Sequence, residues 1–316
     1  MTIDEFIAEW GNDRDYVVAH TSGSTGTPKE IRLLKADMKA SALATNRRFG
    51  ITDRSSLFLC LSADYIAGKM MIVRSLLSGA RLVVEKPSNR PLEHYDGEPL
   101  SLVAVVPSQA LWLAEHPDRL RYVGKMIVGG GEVPETLRRR LAALGVEAYS
   151  TYGMTETCSH VALSRLADEK MPYEAIAPTT FSVDDRGCLV IEAPQFSFGR
   201  LVTNDVVDLL SATSFFWKGR WDNVINTGGI KVFPEQMERK IGALPYGRYY
   251  ISSRPSEKWG REVVLYLESS PLTDAERTAL DERLRSVLSP YEMPKAVITE
   301  ERFEETSSGK IIRKRG

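Results

Sequence analysis

The chain has 316 residues, 43% of them apolar, enough for one large domain and a smaller one because single hydrophobic cores stop growing near roughly 250–300 residues. A net charge of −1 excludes the broad basic surface of a nucleic-acid or anionic-membrane binder, although KIIRKRG at the end forms a local basic tail. Three scattered cysteines, Cys60, Cys158 and Cys188, exclude a disulfide framework and a CxxC metal motif and fit a reduced cytoplasmic setting, and no apolar run resembles a secretion signal or a membrane span.

The amino terminus, MTIDEFIAEWGNDRD, is acidic and amphipathic. Short β-branched runs follow, separated by amphipathic segments: DYVVAH (15–20), SLFLCL (56–61), RLVVE (81–85), SLVAVV (101–106) and KMIVGG (125–130) are predicted strands. Their alternation with helical patterns argues for βαβ units and buried parallel strands. The clearest helix lies in VPETLRRRLAALG (133–145), with Pro134 in its first turn, Leu137, Leu141 and Leu144 on one face and Gly145 as the stop. Its three arginines, Arg138 to Arg140, read as a solvated face. After Phe181 the texture changes to turn-punctuated extended pieces, and WKGRWDNVINTGG places a domain boundary near Arg220. Beyond it come a strand ending in GGIKVF, a helix opened by Pro234, the strands RYYIS and EVVLYLE, and a helix from Thr273 to Leu288. The expected fold is α/β: a large domain over 1–219 with mostly parallel strands and packed helices, and a small α+β C-terminal domain over 220–316.

Residues 20–30, HTSGSTGTPKE, fail the spacing of a Walker loop, because Gly26 lies three residues after Gly23, Lys29 follows a proline, and Glu30 stands where the metal-binding hydroxyl belongs. EIRLLK alternates like a strand, so the flanks are strand, loop, strand. The composition still suits a polyphosphate. Gly23 and Gly26 permit close backbone approach, Thr21, Ser22, Ser24, Thr25 and Thr27 offer donors, and Lys29 adds a point charge. A polar hairpin turn is the plain alternative.

TSGSTGTPK resembles the phosphate-loop signature of the adenylate-forming superfamily, which includes acyl-CoA synthetases, adenylation domains of peptide synthetases and luciferases. STYGMTET (150–157) is similar to that superfamily's YGxTE motif. The resemblance implies that Tyr152, with Gly153 and Met154, lies against adenine, that Thr155 meets the α-phosphate and that Glu156 binds magnesium, whose preference for oxygen ligands shared with phosphates suits a carboxylate. Read alone, TET is also an N-capping threonine with an acidic first turn. VGGGEVP (128–134) brings Gly129, Gly130, Gly131 and Glu132 between a strand and a helix, where the resemblance implies the adenine and acyl pocket. LVTNDVV (201–207) resembles the TGD motif with Asn204 in place of glycine, implying that Asp205 accepts from both ribose hydroxyls. GRWDNVINTGGIKVFPEQME (219–238) resembles the hinge signature, implying Arg220 at ribose or phosphate, Asp222 as pivot, and Gly228, Gly229 and Lys231 near the thiol acceptor. SSGKIIRK (307–314) resembles the closing motif and implies that Lys310 is the mobile lysine of adenylation.

The resemblance implies ATP, magnesium and coenzyme A as cofactors, a small carboxylic acid as substrate, an acyl-adenylate intermediate and rotation of the small domain between the two half-reactions. DYIAGKMMIVRSLLSG (64–79) and YGMTETCSHVAL (152–163) resemble, within the superfamily, the ligases that join o-succinylbenzoate to CoA in menaquinone biosynthesis. Lys69 and Arg74 are then candidate partners of the second carboxylate, with a solvent-facing Arg74 as the alternative, and His160 is placed to touch the acyl group. Cys158 has no base at a readable spacing and reads as a packing residue. A ligase for another acid, a protein that loads a carrier protein, and an inactive nucleotide-binding relative stay open, as does a homo-oligomer. Relatives usually carry a long region before the phosphate loop, where this chain has twenty residues; the expectation is a compact enzyme with part of the acyl pocket wall absent.

Overall fold

The computed structural model describes residues 1–20, 30–305 and 311–314. The loop at 21–29 and Lys310 lie outside the described residues, and so do the roles expected of them.

Helix α1 (Ile3–Gly11) opens with a capping box in which the Thr2 hydroxyl accepts from Glu5 N and the Glu5 carboxylate accepts from Thr2 N. Strands β1 (Tyr16–His20) and β2 (Glu30–Leu34) pair antiparallel as a separate two-stranded sheet. The two expected flanking strands are therefore present, but DYVVAH pairs with β2 and not with the parallel sheet. Helix α2 (Lys35–Phe49), β3 (Ser56–Leu59), α3 (Ile66–Ser78), β4 (Arg81–Val84), β5 (Leu102–Val105), α4 (Pro107–Glu115), the short α5 (Pro117–Leu120), β6 (Lys125–Val128), α6 (Glu135–Ala143) and β7 (Glu147–Gly153) then build a parallel sheet in the order β7-β6-β5-β3-β4.

Helices cover both faces of this sheet, so its strands are apolar at successive positions. Leu57 and Leu59 pack toward α2 and α3 with Met38, Met70 and Val73, whereas Phe58 and Cys60 pack toward α4 and α6 with Leu113, Leu137 and Leu141. Leu144 departs from its expected role: it caps α6 and is exposed, and Gly145 follows with φ +72°. Arg138 also leaves the solvated face, because its guanidinium turns back to the carbonyls of Ala167 and Asp168.

The sheet continues through β8 (His160–Arg165), β9 (Tyr173–Ala175), β10 (Thr180–Val183), β11 (Cys188–Ala193), β12 (Gly199–Ser211) and β13 (Ser214–Arg220), in the order β10-β11-β12-β13-β9-β8-β7, with every pair antiparallel. The α/β class holds, but the large sheet is mixed: its first half is parallel, and the turn-punctuated segments after β7 supply an antiparallel second half. An aromatic group of Tyr152, Tyr173, Phe181 and Phe215, with ring centroids 5.0–5.7 Å apart, fills that half.

A third sheet joins β14 (Ile225–Thr227), β15 (Ile230–Val232), β16 (Tyr249–Ser256), β17 (Gly260–Glu268) and β18 (Ala296–Glu300). Along β17, Val263, Leu265 and Leu267 face α7 (Pro234–Ile241) and α8 (Asp274–Val287), while Val264 and Tyr266 face Tyr250 and Phe303 on the other side. The period-two pattern thus serves two small cores. No helix among the described residues is long and apolar enough to cross a membrane.

Candidate active site

The parallel strands end at one edge, and the segments leaving β6 and β7 open a cleft of about 1260 Å³ there. Ligands in α/β sheets bind outside the carboxyl ends of the strands, which is where Gly130, Gly131 and Glu132 after β6, and Met154, Thr155 and Glu156 after β7, line this cleft. The opposite wall is Thr203, Asn204 and Asp205 of β12 with Trp217 and Arg220 of β13. The cleft therefore straddles the place where the sheet changes from parallel to antiparallel.

Gly129 and Gly153 are required by space. A Cβ on Gly129 would lie 2.6 Å from Thr151 Oγ1, and one on Gly153 would lie 2.2 Å from the carbonyl oxygen of Ser159. The second contact is with backbone and has nowhere to move. It reflects the tight return of the chain through a single 3₁₀ turn, Thr155–Thr157, into β8. Thr157, wholly buried, pins that turn by accepting from Met154 N at 3.0 Å and donating to Ser159 O at 2.6 Å, and Cys158 takes up the reversal with φ +60°. The Cys158 thiol is pushed up to about 12 by burial, so it is a packing group and no nucleophile.

Asp205 is buried at 6% exposure, with one carboxylate oxygen accepting from the Tyr152 hydroxyl at 2.8 Å and the other from the Trp217 indole N–H at 3.1 Å. Arg220 Nε stands 3.9 Å from it and balances the charge. Burial, and then the Asp205 carboxylate, hold the Tyr152 phenol well above its usual range, so it stays a donor. Each Asp205 oxygen retains a second lone pair for a hydroxyl presented from the cleft. Trp217 was not singled out by motif, and its only signal was an aromatic at alternate position in SFFWKGR.

Arg220 also reaches Asp222 at 3.1 Å, and Asp222 accepts from Asn204 at 3.4 Å. The residue expected to be a pivot is thus tied to the motif asparagine. Gly229 has φ +84° in the β14–β15 turn, where only glycine is unstrained, and Lys231 is exposed with its ammonium 4.6 Å from the centre of the Trp221 ring. Glu132 is paired with Arg239 of α7.

Glu156 is exposed at the lip of the cleft and makes no hydrogen bond or ion pair with another described residue. No group of three or more His, Cys, Asp or Glu side chains able to share a metal occurs among the described residues. A carboxylate that lines this cleft without a partner among the described residues fits magnesium, which keeps several waters and takes few protein ligands.

Behind the turn, Arg74 of α3 is 2% exposed and fully enclosed, which overturns the solvent-facing alternative. It donates from Nη2 to Ser159 Oγ at 2.9 Å and from Nη1 to Met71 Sδ at 3.4 Å, and its buried Nε has no partner among the described residues. Burial lowers it to about 10. His160 accepts or donates at Thr45 Oγ1, 3.1 Å away, and burial followed by the Arg74 charge holds it well below its ordinary value, hence neutral. Lys69, on the same helix, goes elsewhere: its ammonium meets Met1 Sδ at 2.9 Å and lies 4.9 Å over the Phe6 ring. The two cations of α3 therefore do not converge. Ser159 and Thr45 were missed because nothing local marks them.

Residues 6–184 match the AMP-binding enzyme family. The chain belongs to that family. It is similar to an acyl-CoA synthetase (AMP-forming)/AMP-acid ligase II-like protein of Dyadobacter fermentans, with 34% identity and a TM-score of 0.64 over 97% of this chain and 90% of that one. A 2-succinylbenzoate–CoA ligase of Listeria monocytogenes is 24% identical over 98% of this chain and 71% of the relative. The fold also matches o-succinylbenzoate CoA synthetase of Bacillus subtilis in complex with its acyl-adenylate intermediate, at 20% identity and a TM-score of 0.79, covering 94% of this chain and 67% of that one. The chain thus spans about 70% of the length of its curated AMP-binding relatives.

Proposed function

We propose that the protein is an AMP-forming acid–thiol ligase that converts o-succinylbenzoate to its CoA thioester in the cytoplasm, where ATP and coenzyme A are available. The observation that carries the nucleotide assignment is the buried Asp205, held by Tyr152 and Trp217 against Arg220 and facing the glycine-lined wall after β6. A carboxylate with both oxygens oriented and a lone pair left on each recognises a vicinal diol. In the first half-reaction an oxygen of the substrate carboxylate attacks the α-phosphorus and the bond to pyrophosphate breaks. Two anions must approach each other, so the residues act by orientation and by positive charge. Thr155 is assigned to the α-phosphate, Glu156 to magnesium, the donors of 21–29 to the outer phosphates, and Lys310 to the reacting carboxylate. Magnesium, when bound, neutralises charge developing on the departing pyrophosphate. In the second half-reaction a thiol attacks the acyl carbonyl and AMP leaves, with the Gly229–Lys231 turn brought to the thiol by rotation about Asp222.

The acid is assigned from Arg74. A buried guanidinium whose Nε has no partner, and which has no ion pair, among the described residues is costly unless a ligand brings the anion. A diacid supplies one carboxylate for the chemistry and a second for Arg74. Similarity to 2-succinylbenzoate–CoA ligases supports that choice. The test is ATP–pyrophosphate exchange across mono- and dicarboxylic acids, with and without CoA. Exchange that depends on succinylbenzoate and fails with benzoate is expected, and exchange with no acid offered would remove the reading. Lys310→Ala should depress exchange strongly yet spare thioester formation from preformed acyl-adenylate.

A further inference from the structure

Helix α7 presents Glu235 and Arg239, one turn apart, to the same strand of the large sheet. Glu235 seats over Gly219, where an added Cβ would lie 2.4 Å from its Oε2, and its Oε1 accepts from Asn223 at 2.6 Å. Arg239 reaches further. Its Nη2 donates to Lys218 O at 2.7 Å, its guanidinium lies 5.3 Å over the Trp217 ring, and its Nη1 meets Glu132 Oε1 at 2.9 Å. Glu132 ends the glycine-rich wall of the cleft, and Trp217 is the residue whose indole orients Asp205 on the opposite wall. One guanidinium from the small sheet's helix thus touches both walls of the proposed nucleotide cleft, and it lines the cleft itself.

Stability does not account for the pair with Glu132. The Glu132 side chain is 45% exposed, and pairs of that kind contribute little to folding. The hold of α7 on its own sheet comes instead from buried Met237 and Ile241. What the pair does is geometric: it spans 107 residues of sequence and joins the segment after β6 to the unit that carries the Gly229–Lys231 turn.

We propose that Arg239 is a positioning residue that clasps the two walls of the nucleotide cleft together, so that the small sheet must release Glu132 before nucleotide leaves. The inference rests on the reading of the cleft as a nucleotide site. The test measures dissociation of a fluorescent ATP analogue by stopped flow, in the full chain. Glu132→Ala, which cuts the link to one wall and leaves the Arg239 contacts to Lys218 and Trp217 in place, should accelerate dissociation about two- to fivefold, the range an exposed pair supports, with Tm unchanged, and Arg239→Ala should accelerate it at least as much. Glu132→Cys with Arg239→Cys, joined by a flexible bis-maleimide spacer that carries a reducible disulfide and replaces the reach of the two long side chains, should slow dissociation about tenfold or more and release it again on reduction, as expected when opening limits exit. The native cysteines Cys60, Cys158 and Cys188 are buried and do not compete. If wild-type protein binds no nucleotide, the cleft assignment itself fails. If it binds and all variants release at the wild-type rate, the clasp alone is overturned.

Discussion

Arg74 sits fully enclosed, with one nitrogen unpartnered among the described residues and burial as the cause of its lowered pKa. Removing an unpaired buried cation relieves a desolvation cost, so Arg74→Met should leave Tm equal to or above wild type while raising the KM for the diacid about 10- to 100-fold, the value of hydrogen bonds to a charged group. A parallel fall in Tm and activity would mark Arg74 as structural. Its neighbour His160 titrates below its unfolded value, so the unfolded chain takes up a proton near pH 6.5 that the native chain refuses. Stability from this group is complete above pH 6.5 and falls as pH drops below it, by at most about 1.4 kcal/mol per pH unit. Denaturant titrations between pH 7.5 and 5.5 should lose this slope in His160→Gln. Arg74, Lys69 and His160 were named from sequence as acyl-site candidates, but only neighbours from distant segments decided their states. Thr45 is 115 residues from His160, and Ser159 is 85 from Arg74.

Elements read well wherever a local cause set their ends. Helix α6 follows Pro134 and stops before Gly145, and α8 begins at Thr273 with a capping box to Glu276. The expected core positions of α6 separate in the structure, since Leu141 is buried and Leu144 lies beyond the last turn. Leu141→Ala should therefore cost about 2–5 kcal/mol in chemical denaturation, and Leu144→Ala far less. Gly153 tests the element that shapes the site. Gly153→Ala places a methyl against the Ser159 carbonyl, forcing β7 and β8 apart at the turn that carries Thr155 and Glu156. Pyrophosphate exchange should fall much further than stability does. Strands β1 and β2 were legible as extended segments, whereas their exclusion from the parallel sheet was not, because strand propensity carries no partner.

The described residues form three sheets, of which the last, β14 to β18, builds a core of its own with α7 and α8. We propose that residues 220–316 form a unit that folds by itself. The fragment, expressed alone, should unfold in one cooperative step followed by circular dichroism, and a broad, non-cooperative melt would tie it to the large sheet. Composition and periodicity by themselves determined the α/β class, which follows from side-chain period, and it was the resemblance of the ordered motifs to a known superfamily that named the family and the segments that meet at the cleft. Tertiary structure alone decided that the sheet turns antiparallel after β7, that Lys69 and Arg74 part company, and that Trp217 and Arg239 join the site. The physical reason is common to all three: each depends on which distant strand or helix lies alongside, and burial, pairing and charge compensation exist only once those surfaces meet.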